Sequence, residues 1–354
     1  MKQYIIVIIL ALCLVSCSHH SKHWETLAQV ESYIEERPDS ALTVLQGMDK
    51  DDLSGMVEKA KHALLLSMAM DKNYIDRTDF DVLQPAIEYY EDNGSATDKL
   101  RTYYYQGRIY QNAGNNAAAM ESFVNSLDMG SESNDNLTKA RILVAQSNIY
   151  YSLMKWEKVC DVNIEAANYY NELGRTNNYV YCLLRCIGGY IQSNNFDKAK
   201  DLLGKCYQYT ENLPELLISE IYSYHLLYSV AANNFESVPL IIGEYKNKVS
   251  EENIDYLTVA GAYADIGAYD KAEDMLVRIN TKSLEDNNKT LKYYTTLIRI
   301  YRHKGDYRKV YESYLKFNEL NDSILFSIFE SDTQFIEERH ALEMQKAKET
   351  EAKN

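Results

Sequence analysis

The side chains with the most chemistry to offer in this sequence are its cysteines and histidines. Four cysteines lie in the body of the chain, and Cys182 and Cys186 share one face of a predicted helix while Cys206 lies on the next one. A Cys186–Cys206 disulfide is one reading for an oxidising compartment. We instead expect small buried thiols at Cys160 and the other three positions, because free cysteine packs as a small hydrophobic residue. No set of histidines and cysteines completes a metal site, so we predict neither a metal nor a cofactor.

The motifs that mark common enzyme sites are missing from the sequence. There is no Walker-type phosphate loop, no dinucleotide glycine motif, no Gly-x-Ser-x-Gly and no His-Glu-x-x-His. The histidines are scattered, and the carboxylates have spacings typical of solvated helix faces. We therefore predict no catalytic residue and no enzymatic activity.

The N-terminus has the order of a secretion signal. Residues 1–16 contain a charged start, an apolar core and a small residue before Cys17. The Leu-Val-Ser-Cys segment that ends at Cys17 resembles the lipobox of bacterial lipoproteins. That resemblance implies a lipid on Cys17 and anchoring in the envelope of a Gram-negative bacterium, with the outer membrane as the expected site. The alternative is an ordinary signal peptide with a chance cysteine. Residues 17–23 are predicted to be a tether.

The rest of the chain repeats a pair of short helices. Residues 99–128 contain two apolar stripes joined by a turn at residues 112–116, and one such hairpin cannot bury its apolar face alone. The turn signature is a small or polar pair, an aromatic residue, and a small residue three positions later. It recurs along the chain, and the aligned units begin near Leu100, Ala140, Val180, Ser219, Asn253 and Leu291.

These units resemble the tetratricopeptide repeat, a helix-turn-helix unit of about 34 residues. The residues that match its small position between the two helices are Gly107, Ser147 and Ala260. A second position of the repeat, in the second helix of each pair, holds a large apolar or aromatic residue in most units, and Asn163 departs from the pattern there. The resemblance implies an all-α superhelical solenoid of antiparallel helix pairs with a long C-terminal helix. Capping repeats are expected over residues 24–98, clear repeats over 99–320, and a charged helix over 321–354.

In tetratricopeptide arrays the first helices of the pairs line a concave groove, so the resemblance also implies partner-binding positions. Those carried over are Arg101, Tyr104, Arg108, Gln111, Arg141, Asn148, Tyr151, Tyr181, Leu184, Ile191, Lys292, Arg299 and Arg302. Many are basic or aromatic in a chain whose formal net charge is −15. We therefore expect an acidic extended peptide, a chain terminus or a glycan in the groove. The alternative is that the arginines pair with neighbouring carboxylates.

These observations favour a non-enzymatic scaffold that binds a protein or peptide and is anchored to a membrane by its lipid. The acidic surface argues against nucleic acid as a partner. A second hypothesis is a sensor or signalling module whose C-terminal helix transmits a signal or forms a homodimer. A third is a glycan-binding lipoprotein, which would need exposed aromatic platforms such as Trp24 or Trp156.

Overall fold

The computed structural model describes residues 22–279, 284, 287–326 and 328–329. The predicted signal segment, Cys17 and nearly all of the tether lie outside these residues, as does most of the predicted charged C-terminal helix. The regular secondary structure in the described part of the chain is entirely helical. None of the described helices combines the length and the apolar character that a membrane span requires.

The chain divides into two compact units, residues 1–134 and 135–354. The described part of the first unit contains six α-helices and a short 3-10 helix at Lys50–Asp52. The α-helices are α1 (Lys22–Tyr33), α2 (Pro38–Gln46), α3 (Gly55–Lys72), α4 (Gln84–Asn93), α5 (Ala96–Asn112) and α6 (Asn116–Met129). Within this unit α5 packs against α3 and α4 as well as against α6.

The second unit continues the alternation of paired helices. Its helices are α7 (Asn136–Ser152), α8 (Trp156–Glu172), α9 (Thr176–Gln192), α10 (Phe196–Tyr207), α11 (Glu215–Ala231), α12 (Val238–Lys248), α13 (Tyr256–Asp265), α14 (Tyr269–Val277), α15 (Asn287–Lys304) and α16 (residues 307–326). Helix α9 packs on α11, α11 on α13, and α13 on α15. The first helices of successive pairs are therefore neighbours and form one layer of the unit.

One backbone turn recurs inside the pairs. A single residue there has a positive φ, and it is Gly114, Met154, Asn194, Asn233, Gly267 or Gly305. The next residue donates its N–H to a carbonyl near the end of the first helix, which belongs to Tyr110, Tyr150, Tyr190, Ser229, Tyr263 or Tyr301. This bond closes the helix end in the manner of a Schellman motif. The recurring tyrosine thus marks the last turn before each pair reverses direction.

The predicted small positions lie where two helices come close. A Cβ atom added to Gly107 would be 2.5 Å from Cε1 of Phe123, so glycine is what allows α5 to approach α6. In the next pair Ser147 and Asn163 replace that contact, and Asn163 Nδ2 donates to Ser147 Oγ over 2.5 Å. A polar contact has thus replaced the small-against-large packing in this pair.

The four cysteines in the body of the chain are buried free thiols, as expected. The Cys186–Cys206 disulfide is not formed. Cys186 instead faces α8, where its sulfur lies 3.6 Å from the backbone oxygen of Cys160.

Candidate partner-binding surface

In the first unit, the predicted binding residues are engaged within the protein. Arg101 Nη1 lies 2.8 Å from Oε1 of Glu31, and the same carboxylate is 2.7 Å from Nζ of Lys61. Arg108 Nε lies 3.0 Å from Oδ1 of Asp71. These pairs join residues 30 to 70 positions apart in sequence, so they fix helices of different pairs to one another. For these two arginines the alternative of internal pairing is what the structure shows.

The other two predicted binding residues of this unit, Tyr104 and Gln111, have internal roles. Tyr104 is only 6% exposed, and its ring packs edge-on against Tyr105 with centroids 4.8 Å apart, so it is a core residue and offers no ring face to a partner. The Tyr104 side chain lies between α5 and α6, where its ring packs near Phe123 of α6. Gln111 accepts a hydrogen bond from Arg108 Nη1 over 2.7 Å and positions that guanidinium.

In the second unit, predicted residues of α7 come together with an arginine of α9. The guanidinium carbon of Arg185 lies 4.1 Å from the centre of the Tyr151 ring, which is a cation–π contact. Nη2 of Arg185 is 3.4 Å from Oδ1 of Asn148. Tyr151 also packs edge-on against Trp156, with ring centroids 5.3 Å apart. The arginine is therefore held by a stacked ring and one long hydrogen bond.

Further side chains extend this surface along α9 and α11. Gly188 leaves room for Tyr224, because a Cβ atom on the glycine would be 3.0 Å from Cε1 of that ring. Burial raises the pKa of Tyr224 to about 12 and also raises the pKa of Tyr181. Burial raises the pKa of Glu220, and the positive charges of Arg185 and Lys289 oppose that shift. We call the following residues the Arg185 surface: Asn148, Tyr151, Tyr181, Arg185, Glu220 and Tyr224.

At the other end of the unit, α15 carries three predicted residues. Lys292 Nζ donates to Thr258 Oγ1 over 2.9 Å, and burial lowers the pKa of this lysine while Asp255 and Asp265 act in the opposite direction. Arg299 forms an ion pair with Asp265.

The third residue, Arg302, is exposed and lines an open depression together with Tyr269 and His303. The rings of Tyr269 and His303 stack with their centroids 4.3 Å apart. The remaining predicted arginine, Arg141, lies on α7 and is half-buried.

The groove positions predicted from the sequence do not include Arg185, Glu220 or Tyr224. One predicted position of α9 is wrong. Leu184 was predicted to line the groove, but it is 1% exposed and belongs to the core. The face next to Tyr181 is continued by Arg185, four positions later, which is the spacing of neighbours on a helix surface. That spacing was the signal that could have found it.

The described residues hold no cluster of histidine, cysteine, aspartate or glutamate suited to a metal ion. Trp24 and Trp156 are both half-buried, and Trp156 packs edge-on against Tyr151. The chemistry available on the Arg185 surface is hydrogen bonding by a guanidinium and an amide, framed by aromatic rings. Such a set suits recognition of an acceptor group on a partner.

Comparison with known proteins identifies the fold. No protein-family model and no curated protein matches the sequence. Among solved structures, the apo form of RapI is similar with a TM-score of 0.62 and 14% sequence identity, over 92% of this chain and 99% of that chain. A Rap protein complexed with Competence and Sporulation Factor is similar with a TM-score of 0.55 and 15% identity, over 90% of this chain and 93% of that chain. The fold is a tetratricopeptide-like helical repeat.

Proposed function

We propose that this protein is a non-enzymatic scaffold that holds an extended peptide or protein segment against the Arg185 surface. The observation that supports this is the state of the Arg185 guanidinium. It stacks on Tyr151 and bonds Asn148, but among the described residues no carboxylate lies within ion-pairing distance of it. The predicted groove arginines that do have a described carboxylate partner are Arg101, Arg108 and Arg299.

A guanidinium presents five N–H donors in a planar fork, and one acceptor leaves most of them available. A partner carboxylate would match that fork in two parallel hydrogen bonds. The Tyr181 and Tyr224 rings nearby would supply apolar contact to the partner chain. The Rap protein of similar fold that is complexed with Competence and Sporulation Factor supports a binding role for such a fold.

The test is selection of peptides from a random display library on the lipid-free protein. We expect the enriched peptides to carry a carboxylate and to bind Arg185→Gln at least tenfold more weakly, since a hydrogen bond to a charged group contributes about 1.5–3 kcal/mol. Arg308→Gln is the matched control, because Arg308 is exposed and forms only a surface pair with Glu312. Equal binding by wild type and Arg185→Gln, or no enrichment at all, would remove the proposal.

Anchoring to the membrane is a separate proposal, and its support is the sequence around Cys17 alone. We infer that Cys17 carries the lipid and that the protein belongs to the Gram-negative envelope, at the outer membrane. Growth with an alkyne-bearing fatty acid should label the wild type and Cys13→Ser but leave Cys17→Ser unlabelled. Labelling that survives Cys17→Ser would contradict this assignment.

One observation favours the second candidate, a signalling module that dimerises through its C-terminal helix. The C-terminal end of helix α16 exposes apolar side chains, with Leu325 at 52% and Phe326 at 65% exposure. Size measurement of the lipid-free protein with and without residues 322–354 separates the candidates. A dimer that is lost on truncation favours signalling, and a monomer in both forms favours the scaffold.

A further inference from the structure

Two buried cysteines face each other across the contact between α8 and α9. The Cys160 sulfur lies 3.5 Å from the backbone oxygen of Cys186, and the Cys186 sulfur lies 3.6 Å from the backbone oxygen of Cys160. This reciprocal arrangement places the two Cβ–Sγ groups side by side between the helices. The side chains are 2% and 0% exposed, and Cys160 Sγ would lie 2.8 Å from a Cβ atom added to Gly189 of α9, so the two sulfurs are enclosed where α8 meets α9. Disulfides require this kind of close, facing geometry.

The surroundings of the two thiols are unequal. A hydrogen bond from the Cys186 thiol is the largest cause that holds the Cys160 pKa below its ordinary value, and the same contact raises the pKa of Cys186. The exposed ammonium of Lys198, which lies 5.2 Å from the Tyr190 ring centre, also favours the Cys160 thiolate. Of the two thiols, Cys160 is therefore the one whose surroundings favour the thiolate.

We propose that Cys160 and Cys186 form a reversible disulfide that joins α8 to α9 when the protein meets a disulfide oxidant. The Cys160 thiolate attacks one sulfur of a small disulfide such as oxidised glutathione, and one glutathione thiolate leaves. Cys186 then loses its proton and attacks the Cys160 sulfur of the mixed disulfide, which displaces the second glutathione thiolate. The pair loses two electrons and two protons, and the oxidant is reduced to two thiols.

The other two cysteines of the second unit provide internal controls. Cys182 and Cys206 are as deeply buried, and burial raises the pKa of each thiol to about 12. In the described part of the chain, neither thiol has the reciprocal sulfur-to-carbonyl contact with another cysteine that Cys160 and Cys186 share, so these positions should stay reduced under conditions that oxidise the facing pair. The bond would close a loop between residues 26 positions apart, and it should raise the melting temperature of the second unit.

The decisive measurement is thiol mapping of the wild-type chain equilibrated at a series of reduced-to-oxidised glutathione ratios. After unfolding and alkylation, mass spectrometry should find a peptide linked through Cys160 and Cys186, with Cys182 and Cys206 alkylated throughout. Cys182→Ser should keep the link, and Cys160→Ser should lose it. Oxidation should raise the melting temperature of wild type and Cys182→Ser only.

Three results would each overturn the proposal. The first is alkylation of all four thiols at every glutathione ratio, the second is a glutathione adduct on Cys160 with no linked peptide, and the third is a link from Cys186 to Cys206. The mapping uses the wild-type chain, so it decides the matter even if Cys160→Ser fails to fold. It is also independent of partner binding, because neither cysteine belongs to the Arg185 surface.

Discussion

Gly107 lies in α5 at the point where this helix meets the ring of Phe123 from α6. The ring occupies the volume that any side chain at residue 107 would need, with Cε1 and Cδ1 at 2.5 and 2.6 Å from an added Cβ. Phe123 is fully buried, so its ring cannot turn out into solvent to make room. At the scale of the residue, the distance between two helices is therefore set by one missing methyl group.

We expect Gly107→Ala to destabilise the protein by about 1–3 kcal/mol, as overpacking of a filled core does. Gly204→Ala is the matched control, because Gly204 is an exposed helical glycine with no atom within 4 Å of an added Cβ. The control should be neutral or stabilising by up to about 1 kcal/mol, since alanine is the better helix former. Urea unfolding measures both. In a Phe123→Leu background Gly107→Ala should lose its cost, and a cost that persists there would show that the ring is not the cause.

Ser147 and Asn163 carry the corresponding contact in the next pair as a buried hydrogen bond. Asn163 is fully buried, and its Nδ2 donates to Ser147 Oγ and, over 2.7 Å, to the carbonyl of Val159. Removal of one member of a buried hydrogen bond leaves the other unsatisfied, while removal of both can be nearly neutral. The contact should therefore behave as a coupled pair.

Ser147→Ala alone should cost about 1–3 kcal/mol of stability. The double variant Ser147→Ala/Asn163→Leu restores an apolar contact like that of the other pairs, so it should be more stable than the sum of the two single changes. Equilibrium unfolding of the four proteins in a double-mutant cycle measures this difference. Strict additivity would mean that the two side chains do not act together.

At the scale of the element, one tyrosine of α12 joins three helices. Tyr245 is fully buried, and its hydroxyl lies 2.5 Å from Ser219 Oγ of α11. The same hydroxyl accepts the N–H of Asp255 over 2.8 Å. Asp255 in turn caps α13, where its Oδ1 accepts from the N–H of Thr258 over 3.0 Å. The start of α13 therefore depends on a side chain from the preceding pair.

Tyr245→Phe keeps the buried ring and removes this connection. We expect a loss of about 1–3 kcal/mol in unfolding free energy, because the Asp255 N–H loses its acceptor. Hydrogen exchange should show faster exchange concentrated at the first turn of α13. Tyr307→Phe, at a side chain 73% exposed, is the control and should change neither quantity. Uniformly faster exchange along the whole second unit would contradict this local role.

The helix pairs could be predicted from the sequence, but the side chains that each helix exposes could not. Aromatic and turn residues recur at the reversal of each pair, and such local signals survive without any alignment. In α9, however, Leu183, Leu184 and Ile187 spread apolar character over a broad arc, so periodicity alone did not separate buried Leu184 from the surface position of Arg185. The pairing of Arg101 with Glu31 was equally hidden, because it joins residues 70 positions apart.

At the scale of the whole molecule, each unit contains a histidine whose pKa is lowered by burial. His62 is 3% exposed and its Nε2 lies 2.9 Å from the carbonyl oxygen of Leu45. The Nδ1 of His225 lies 2.8 Å from the hydroxyl of Tyr207. Below the ordinary histidine pKa of 6.5, the unfolded chain takes up protons at these positions that the folded chain resists. Both histidines therefore make the folded state less stable as the pH falls through 6.5 and toward their lowered values.

Wild-type stability should accordingly fall more steeply between about pH 7.5 and about pH 5.5 than that of a His62→Gln/His225→Gln variant. The raised pKa of Glu220 acts in the opposite direction, but this side chain is exposed and solvent screens its effect on stability. It is present in both proteins, so the difference between their urea midpoints across the pH series isolates the two histidines. If the midpoint of the variant minus that of the wild type is constant with pH, neither imidazole is kept neutral by the fold. If this quantity rises toward acid pH, burial of the two rings limits the acid stability of the molecule.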